Sequence, residues 1–274
     1  MLNLLTFDVE EWFQANYPST ASTSKVEVDE RLEVNVRGLL DLCAEHQARA
    51  TFFILGRTAE RHPRLVPLIQ EKGHEIASHG YEHILVYEQT PESFGADLRK
   101  SLDVLGGISR QSVLGYRAPS WSVNTRLPWF YDILESYGLA YDSSLFPART
   151  FLYGDNRARR FPHCIGNLIE IPASTVSLFG LRIPFASGFF FRLFPGFIIR
   201  LGIRALNRRG QPAMICLHPR EIDVCSPKLK LPRKERFIHY VNIKTARNKL
   251  AGLLASFSFC SIQDYLSLEA YRNL

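Results

Sequence analysis

Two histidines four residues apart, His79 and His83 in the run GHEIASHGYEH, are the side chains of this sequence best suited to chemistry. Imidazoles one helical turn apart can hold a single metal ion from one face. The chain also opens with LTFDVEEWF, an apolar run that ends in the carboxylates Asp8, Glu10 and Glu11. One carboxylate and two histidines make three protein ligands and leave a position for water. That is the composition of a catalytic metal site, whereas a structural site is closed by four protein ligands.

Other candidates fall at the ends of apolar runs. Asp8 and Glu10 are two residues apart, so a strand points both to one face and turns Glu11 away. Asp8 and Glu10 therefore belong to the site and Glu11 lies outside it; the plain alternative is a polar strand end that meets solvent. Arg117, in GYRAPSW, is either a surface arginine or the partner that keeps a carboxylate ionised. After Pro119, the backbone N–H of Ser120 can point at an oxyanion. His218, in ICLHPRE, leaves a strongly apolar run and needs a partner; Asp142 is the candidate that raises its pKa toward general-acid use. His46, His62, His163 and His239 read as ordinary satisfied histidines. His74 starts its strand facing away from the metal and reads as structural, bonding backbone.

These residues need a scaffold. Strands are expected at 2–9, 50–56, 74–78, 112–117, 139–142, 168–174, 212–219 and 257–262. Helices are expected at 29–46, 58–71, 91–105, 127–137, 194–209 and 242–256. Alternating strand and helix argues for an α/β fold with a parallel sheet. Seven or eight such units favour a barrel over a doubly wound sheet, and in a barrel the C-terminal strand ends build the site. No glycine fingerprint follows the first strand, which disfavours a dinucleotide fold. With 274 residues, 46% of them apolar, one domain over 1–274 is the simplest organisation.

The formal charge is +6, yet no dense Lys/Arg tract with interleaved aromatics suggests nucleic acid. Five cysteines without a CxxC do not make a disulfide framework, so a reducing compartment is favoured. The first ten residues lack a basic region and a cleavage site, and no uncharged stretch reaches the ~20 apolar residues that span a bilayer. A cytoplasmic location is the resulting expectation. The stretch 187–209 mixes apolar residues with Arg192, Arg200, Arg204, Arg208 and Arg209. It reads as a buried barrel helix with its arginines on the wet side. Weak contact with an anionic membrane surface is the alternative. The basic run 228–236 reads as a solvated loop, with contact to an anionic glycan as the lesser alternative. Trp12, Phe13 and Trp121 either stack on sugar rings or pack within loops.

The ordered series TFDVEEWF, ATFFILG, GHEIASHGYEH, GYRAPSW, YDSSLFP, SGFFFRLFP and LHPREID resembles the polysaccharide deacetylase superfamily. This is the NodB-homology, or carbohydrate esterase family 4, group, and the chain is most similar to its members found with bacterial exopolysaccharide loci. The resemblance spans nearly the whole chain. It implies a distorted (β/α) barrel and a divalent metal, zinc first, with cobalt, nickel or manganese as alternatives. It also implies removal of N-acetyl groups from amino sugars of a polysaccharide or a lipid-linked precursor. By position, it makes Asp8 the base, Glu10, His79 and His83 the metal ligands, Arg117 the residue orienting the base, Ser120 the backbone oxyanion donor and His218 the general acid. Two departures stand out. The common TFDDG becomes Asp8–Val9–Glu10, a longer ligand arm one position later, and YDSSLFP keeps Asp142 without the usual tryptophan. Two other outcomes remain within the same fold: a non-catalytic carbohydrate-binding relative, and a metal-independent hydrolase of cyclic amides.

Overall fold

The computed structural model describes residues 1–14, 16, 31–150 and 153–268. Its strands are β1 Leu2–Val9, β2 Thr51–Ile54, β3 Glu75–Ser78, β4 Gly115–Tyr116, β5 Tyr141–Asp142, β6 His163–Ile165, β7 Leu168–Glu170, β8 Thr175–Leu178, β9 Leu181–Pro184, β10 Met214–Leu217 and β11 Ser258–Cys260. The main sheet runs β10-β1-β2-β3-β4-β5-β7-β6, and β11 pairs with the start of β1. Its pairings are parallel except β6 with β7. The sheet curls into a half-barrel within a single domain, and among the described residues it does not close, β10 and β6 forming its edges. The barrel expected from the sequence is thus a distorted and incomplete one.

Period-2 alternation decides what each strand offers. Leu5, Phe7 and Val9 on β1 and Phe52 and Ile54 on β2 face the helical layer in the largest apolar cluster. Leu4, Phe53, Ala77, Tyr141, Met214 and Cys216 face the hollow of the sheet. Burying one such large side chain stabilises the fold by ~1.5–3 kcal/mol, so a one-residue slip of register would be very costly. Gly115 permits a close approach here, because a Cβ at that position would lie 1.9 Å from Tyr141 Cζ.

Helices cover the outer face. Pro91–Ile108 begins with a capping box: Ser93 N–H donates to Thr90 Oγ1 at 3.2 Å and Thr90 N–H donates to Ser93 Oγ at 2.9 Å. Its inward stripe is Phe94, Leu98, Ser101 and Leu105. One helix expected as a single element is broken at a proline: Pro63 separates Gly56–Arg61 from Leu65–Glu71. The helix expected at 194–209 is Gly196–Asn207, and Pro195 parts it from a short helix, Gly188–Leu193, outside the expected bounds. A proline disfavours the helical conformation in the residue before it, and His62 and Phe194 both leave that region, with ψ 65° and 142°. The helix Gly196–Asn207 buries Ile199, Gly202, Ile203 and Leu206 and keeps Arg204 outside, as expected; Arg192 departs from that expectation and is 1% exposed. Further helices span Arg31–Glu45, Pro128–Ser136, Arg233–Tyr240, Ile243–Leu254 and Ile262–Ser267. Part of the expected first helix lies outside the described residues. β6, the β8–β9 hairpin and the helices Arg233–Tyr240 and Ile262–Ser267 lie outside the expected elements. No described helix is long and apolar enough to cross a membrane.

Candidate metal centre and active site

The same alternation assembles the site. Inward positions run Leu4, Thr6, Asp8 on β1; Glu75, Ala77 and then His79 on and beyond β3; Gly115 and then Arg117 on β4; Met214, Cys216 and then His218 on β10. Each strand therefore delivers one polar residue to the C-terminal rim of the half-barrel. Glu10 sits just past the end of β1, on the side of Asp8. Glu11 turns the other way and is buried against His62, 3.0 Å from Glu11 Oε1 to His62 Nε2. The expected division between Glu10 and Glu11 matches this placement.

Glu10 Oε1 lies 3.1 Å from His79 Nε2 and 2.8 Å from His83 Nε2. One ligand atom from each of these three buried residues lies within 4.8 Å of the other two. The donor chemistry fits a cation. His79 Nδ1 is 2.7 Å from the Arg117 carbonyl, which can only accept, so this nitrogen carries the hydrogen. In the neutral ring Nε2 then presents a lone pair directly to the Glu10 carboxylate. Two facing lone pairs at hydrogen-bond distance repel unless a cation lies between them. A backbone carbonyl holding the far nitrogen is also how ligand histidines are commonly oriented. His83 holds φ +63°, a left-handed conformation that costs a non-glycine residue ~1–2 kcal/mol.

Asp8 stands beside this group. Its Oδ1 accepts from Arg117 Nη1 at 2.7 Å, and its Oδ2 accepts from Cys216 Sγ at 3.3 Å. Arg117 is fully buried, donates to Thr6 Oγ1 at 2.9 Å and to Ser143 O and Oγ at 3.1 and 2.9 Å, and lies against the rings of Phe53 and Trp121. Burial alone would raise the pKa of Asp8. The charge of Arg117 leads the groups that outweigh it and hold the carboxyl below its usual value. Glu10 is likewise pushed up by burial and held well down by His83 and His218.

His218 Nε2 is 3.8 Å from Glu10 Oε1 and 4.0 Å from Asp8 Oδ2. Its Nδ1 is 3.6 Å from Glu221 Oε2. Burial pulls its pKa down, and Glu10 with Glu221 more than offsets this, so the net shift is upward. Glu221 in turn accepts from His218 N at 3.1 Å and from Arg192 Nε at 3.0 Å, and Arg192 is anchored on the carbonyls of Ile238 and Val241.

Asp142 is the correction. It is not among the partners of His218. Its Oδ1 and Oδ2 accept from Ser144 Oγ at 2.6 Å and Ser144 N at 3.2 Å. Burial raises it to about 6, and burial together with Asp142 raises its neighbour Glu170 well above the ordinary carboxylate range. The reason is alternation: Tyr141 faces the hollow, so Asp142 faces out and Ser143 faces in, onto Arg117. The role expected of Asp142 falls geometrically to Glu221, which sequence reasoning missed along with Arg192. A glutamate three residues after His218 on a short turn was the available signal.

Ser120 and Trp121 both hold φ +52° in the turn after Pro119. Ser120 Oγ accepts from Asn16 Nδ2 at 3.1 Å. The turn is tied down where Ala118 N–H donates to Ser144 Oγ at 2.8 Å. Ser120 and Trp121 line a cavity together with Asp8, Glu10, His218, Arg192, Arg220 and Glu221. Trp121 and Phe13 are each 6% exposed, so packing dominates over any ring face offered to solvent. His74 is structural as expected, its Nδ1 accepting from Ala50 N–H at 3.1 Å.

The polysaccharide deacetylase family profile matches residues 5–141, half of the chain, which include Asp8, Glu10, His79, His83 and Arg117. The chain belongs to the polysaccharide deacetylase family. A domain of unknown function (DUF3473) matches residues 143–267, which contribute β10 and His218 to the same sheet and site. Over 113 residues the chain is 29% identical to a peptidoglycan deacetylase of Helicobacter pylori, covering 41% of this chain and 38% of that protein. The chain thus spans well under half the length of that relative. A solved candidate polysaccharide deacetylase from Mycobacterium smegmatis superposes with a TM-score of 0.66 at 22% identity, over 99% of this chain and 90% of that one. A pseudoenzyme of carbohydrate esterase family 4 from Bacillus anthracis superposes with a TM-score of 0.52 at 13% identity, over 97% of this chain and 65% of that one. These two likenesses speak to the fold.

Proposed function

We propose that this polysaccharide deacetylase family member is a divalent-metal-dependent hydrolase that removes N-acetyl groups from amino sugars of a polysaccharide or a lipid-linked glycan precursor, and that residues 1–274 act as one catalytic domain. The observation that carries the reading is the grouping of Glu10 with His79 and His83, together with the cavity that Glu10 shares with Asp8 and His218. Glu10, His79 and His83 would hold the cation, zinc being the first choice for two imidazoles and a carboxylate and cobalt, nickel or manganese the alternatives. When bound, it supplies Lewis acidity toward the acetamide carbonyl and acidifies the attacking water.

The chain's own residues do the rest. Asp8, held ionised by Arg117, takes the proton from the attacking water as its oxygen adds to the carbonyl carbon. The Ser120 N–H donates to the oxyanion that develops, an interaction worth ~3 kcal/mol where the geometry is good. His218, oriented and kept basic by Glu221, carries a proton to the departing sugar nitrogen. The C–N bond then breaks, leaving acetate and a free amine. Chitooligosaccharide and peptidoglycan deacetylases among the curated relatives support an N-acetylated glycan as substrate. Assignment to exopolysaccharide synthesis rests on the sequence resemblance alone.

The B. anthracis pseudoenzyme makes the non-catalytic reading concrete, but the candidate base, ligands and acid all stand together in this chain. Three ligand candidates within reach of one another likewise disfavour a metal-free cyclic-amide hydrolase. The test is His79→Ala. Metal content after purification and acetate release from chitin oligomers, peptidoglycan fragments and lipid-linked sugars should both fall to background, with the circular dichroism spectrum unchanged. Acetate release that survives this substitution, or wild-type protein that releases none from any of these substrates, refutes the proposal.

A further inference from the structure

Among the described residues, three guanidinium groups stand around the candidate active site, and two are committed. Arg117 is bound to Asp8 and Arg192 to Glu221. Arg220 is different. It lines the same cavity as Asp8, Glu10 and His218, on the turn Pro219–Ile222 that follows β10. Its Nη1 donates to His239 Nδ1 at 3.2 Å, and its Nε is buried with no hydrogen-bond partner. Among the described residues no carboxylate lies within ion-pair distance of it; the adjacent Glu221 is taken by Arg192 at 3.0 Å. His239 offers Arg220 no negative charge, an imidazole being neutral or cationic. Arg220 is half-buried with its Nε left unpartnered, and a planar oxyacid group satisfies such a guanidinium edge with two parallel hydrogen bonds.

The cavity thus holds Asp8 and Glu10, where the N-acetyl group would react, together with the cationic Arg220. Resting on the deacetylase reading above, we infer that Arg220 is a subsite for an anionic oxyacid group, the carboxylate of a hexuronate or the phosphate of an activated sugar, carried by the glycan beside the residue to be deacetylated. The substrate class of the site is then an acidic glycan. Asn16, Gln14 and Tyr153, which share the lining, suit the neutral hydroxyls of the same ligand.

The experiment compares substrates within one protein, because Arg220 adjoins His218 and any substitution there can alter turnover as a whole. Zinc-loaded wild type, Arg220→Gln and Arg220→Lys are assayed for acetate release in two matched pairs. The first is a tetrasaccharide of alternating N-acetylglucosamine and glucuronate against neutral N-acetylchitotetraose. The second is N-acetylglucosamine 1-phosphate against N-acetylglucosamine. Wild type should favour the charged member of at least one pair by tenfold or more in kcat/KM, and the pair that shows it identifies carboxylate or phosphate. Arg220→Gln should reduce that ratio at least tenfold, mainly through KM, and Arg220→Lys should keep part of it. A ratio unchanged within twofold in Arg220→Gln, or a wild type indifferent to charge in both pairs, overturns the inference while leaving the deacetylase reading intact. Should the wild type release no acetate from any of the four, that reading fails instead. Calorimetric binding of the same ligands then judges Arg220: an Arg220-dependent preference for the anion supports the subsite, and its absence overturns it.

Discussion

Replacing Arg117 by methionine tests whether one guanidinium is what allows Asp8 to be charged inside the protein. Methionine keeps an unbranched apolar stem between Phe53 and Trp121 and removes the charge. The hydroxyls that lose a donor are not orphaned: Thr6 Oγ1 still donates to Ile215 O at 3.1 Å, and Ser143 Oγ to Ile171 O at 2.7 Å. The dominant loss is therefore the counter-charge of Asp8, a residue 3% exposed and bound to Arg117 at 2.7 Å. Stripping one partner from a buried ion pair costs about 3–5 kcal/mol. For a chain of this size that corresponds to roughly 6–20 °C in Tm.

The decisive measurement is a double-mutant cycle, read by urea unfolding in the presence of a chelator so that metal binding makes no contribution. Asp8→Asn alone strands the guanidinium and should cost about as much as Arg117→Met. The double variant buries no net charge and should be destabilised by far less than the sum, with a coupling of about 3 kcal/mol, near the upper end for residues in contact. Effects that add to within ~0.5 kcal/mol, as they do for independent sites, would refute the reasoning. They would mean that Asp8 is neutral in the folded chain or finds its countercharge elsewhere.

Two further outcomes follow from features outside the site. His74 is held to about 4 from an ordinary value of 6.5, by burial first and then Arg49, so the unfolded chain takes up its proton at the higher pH and the folded chain at the lower. Its contribution to stability is complete above pH 6.5 and is lost as the pH falls toward 4; about 3 kcal/mol is the ceiling. The difference in urea stability between wild type and His74→Asn should change by a measurable part of that between pH 7 and 4.5, and a pH-independent difference would contradict it. Thr90→Ala removes the N-cap of Pro91–Ile108 and should cost about 1 kcal/mol by the same assay, whereas Thr90→Ser should cost much less.

How much of this could be read beforehand depended on whether a rule acted locally. Strand alternation is local, and it placed Asp8 and Glu10 on one side of β1 and Glu11 on the other. Proline breaks are local too, yet apolar spacing runs on across Pro63, so the sequence pattern gives one helix over 58–71 where the structure has two. The β8–β9 hairpin carried little signal: its tip, Leu178 to Leu181 with Phe179 97% exposed, lacks the polar turn residues that usually mark one.

Asp142 and Glu221 show what a local rule decides and what it leaves open. Both are acidic residues near a strand end, and charge alone cannot choose which of them faces His218. Alternation can reject Asp142, because Tyr141 beside it is large, apolar over most of its surface and next to Gly115, the residue small enough to receive it inside the hollow. Once Tyr141 is inside, Asp142 is outside. Choosing Glu221 needs more than parity. It follows a proline, on a turn that folds back so that its two oxygens meet the His218 backbone and Arg192, the latter from a helix 29 residues earlier in the chain. That Arg192 is buried is the non-local fact. It comes from an apolar stretch whose arginines otherwise read as solvent-facing, and the break at Pro195 is what sets the short helix Gly188–Leu193 apart and lets it turn Arg192 inward toward Glu221.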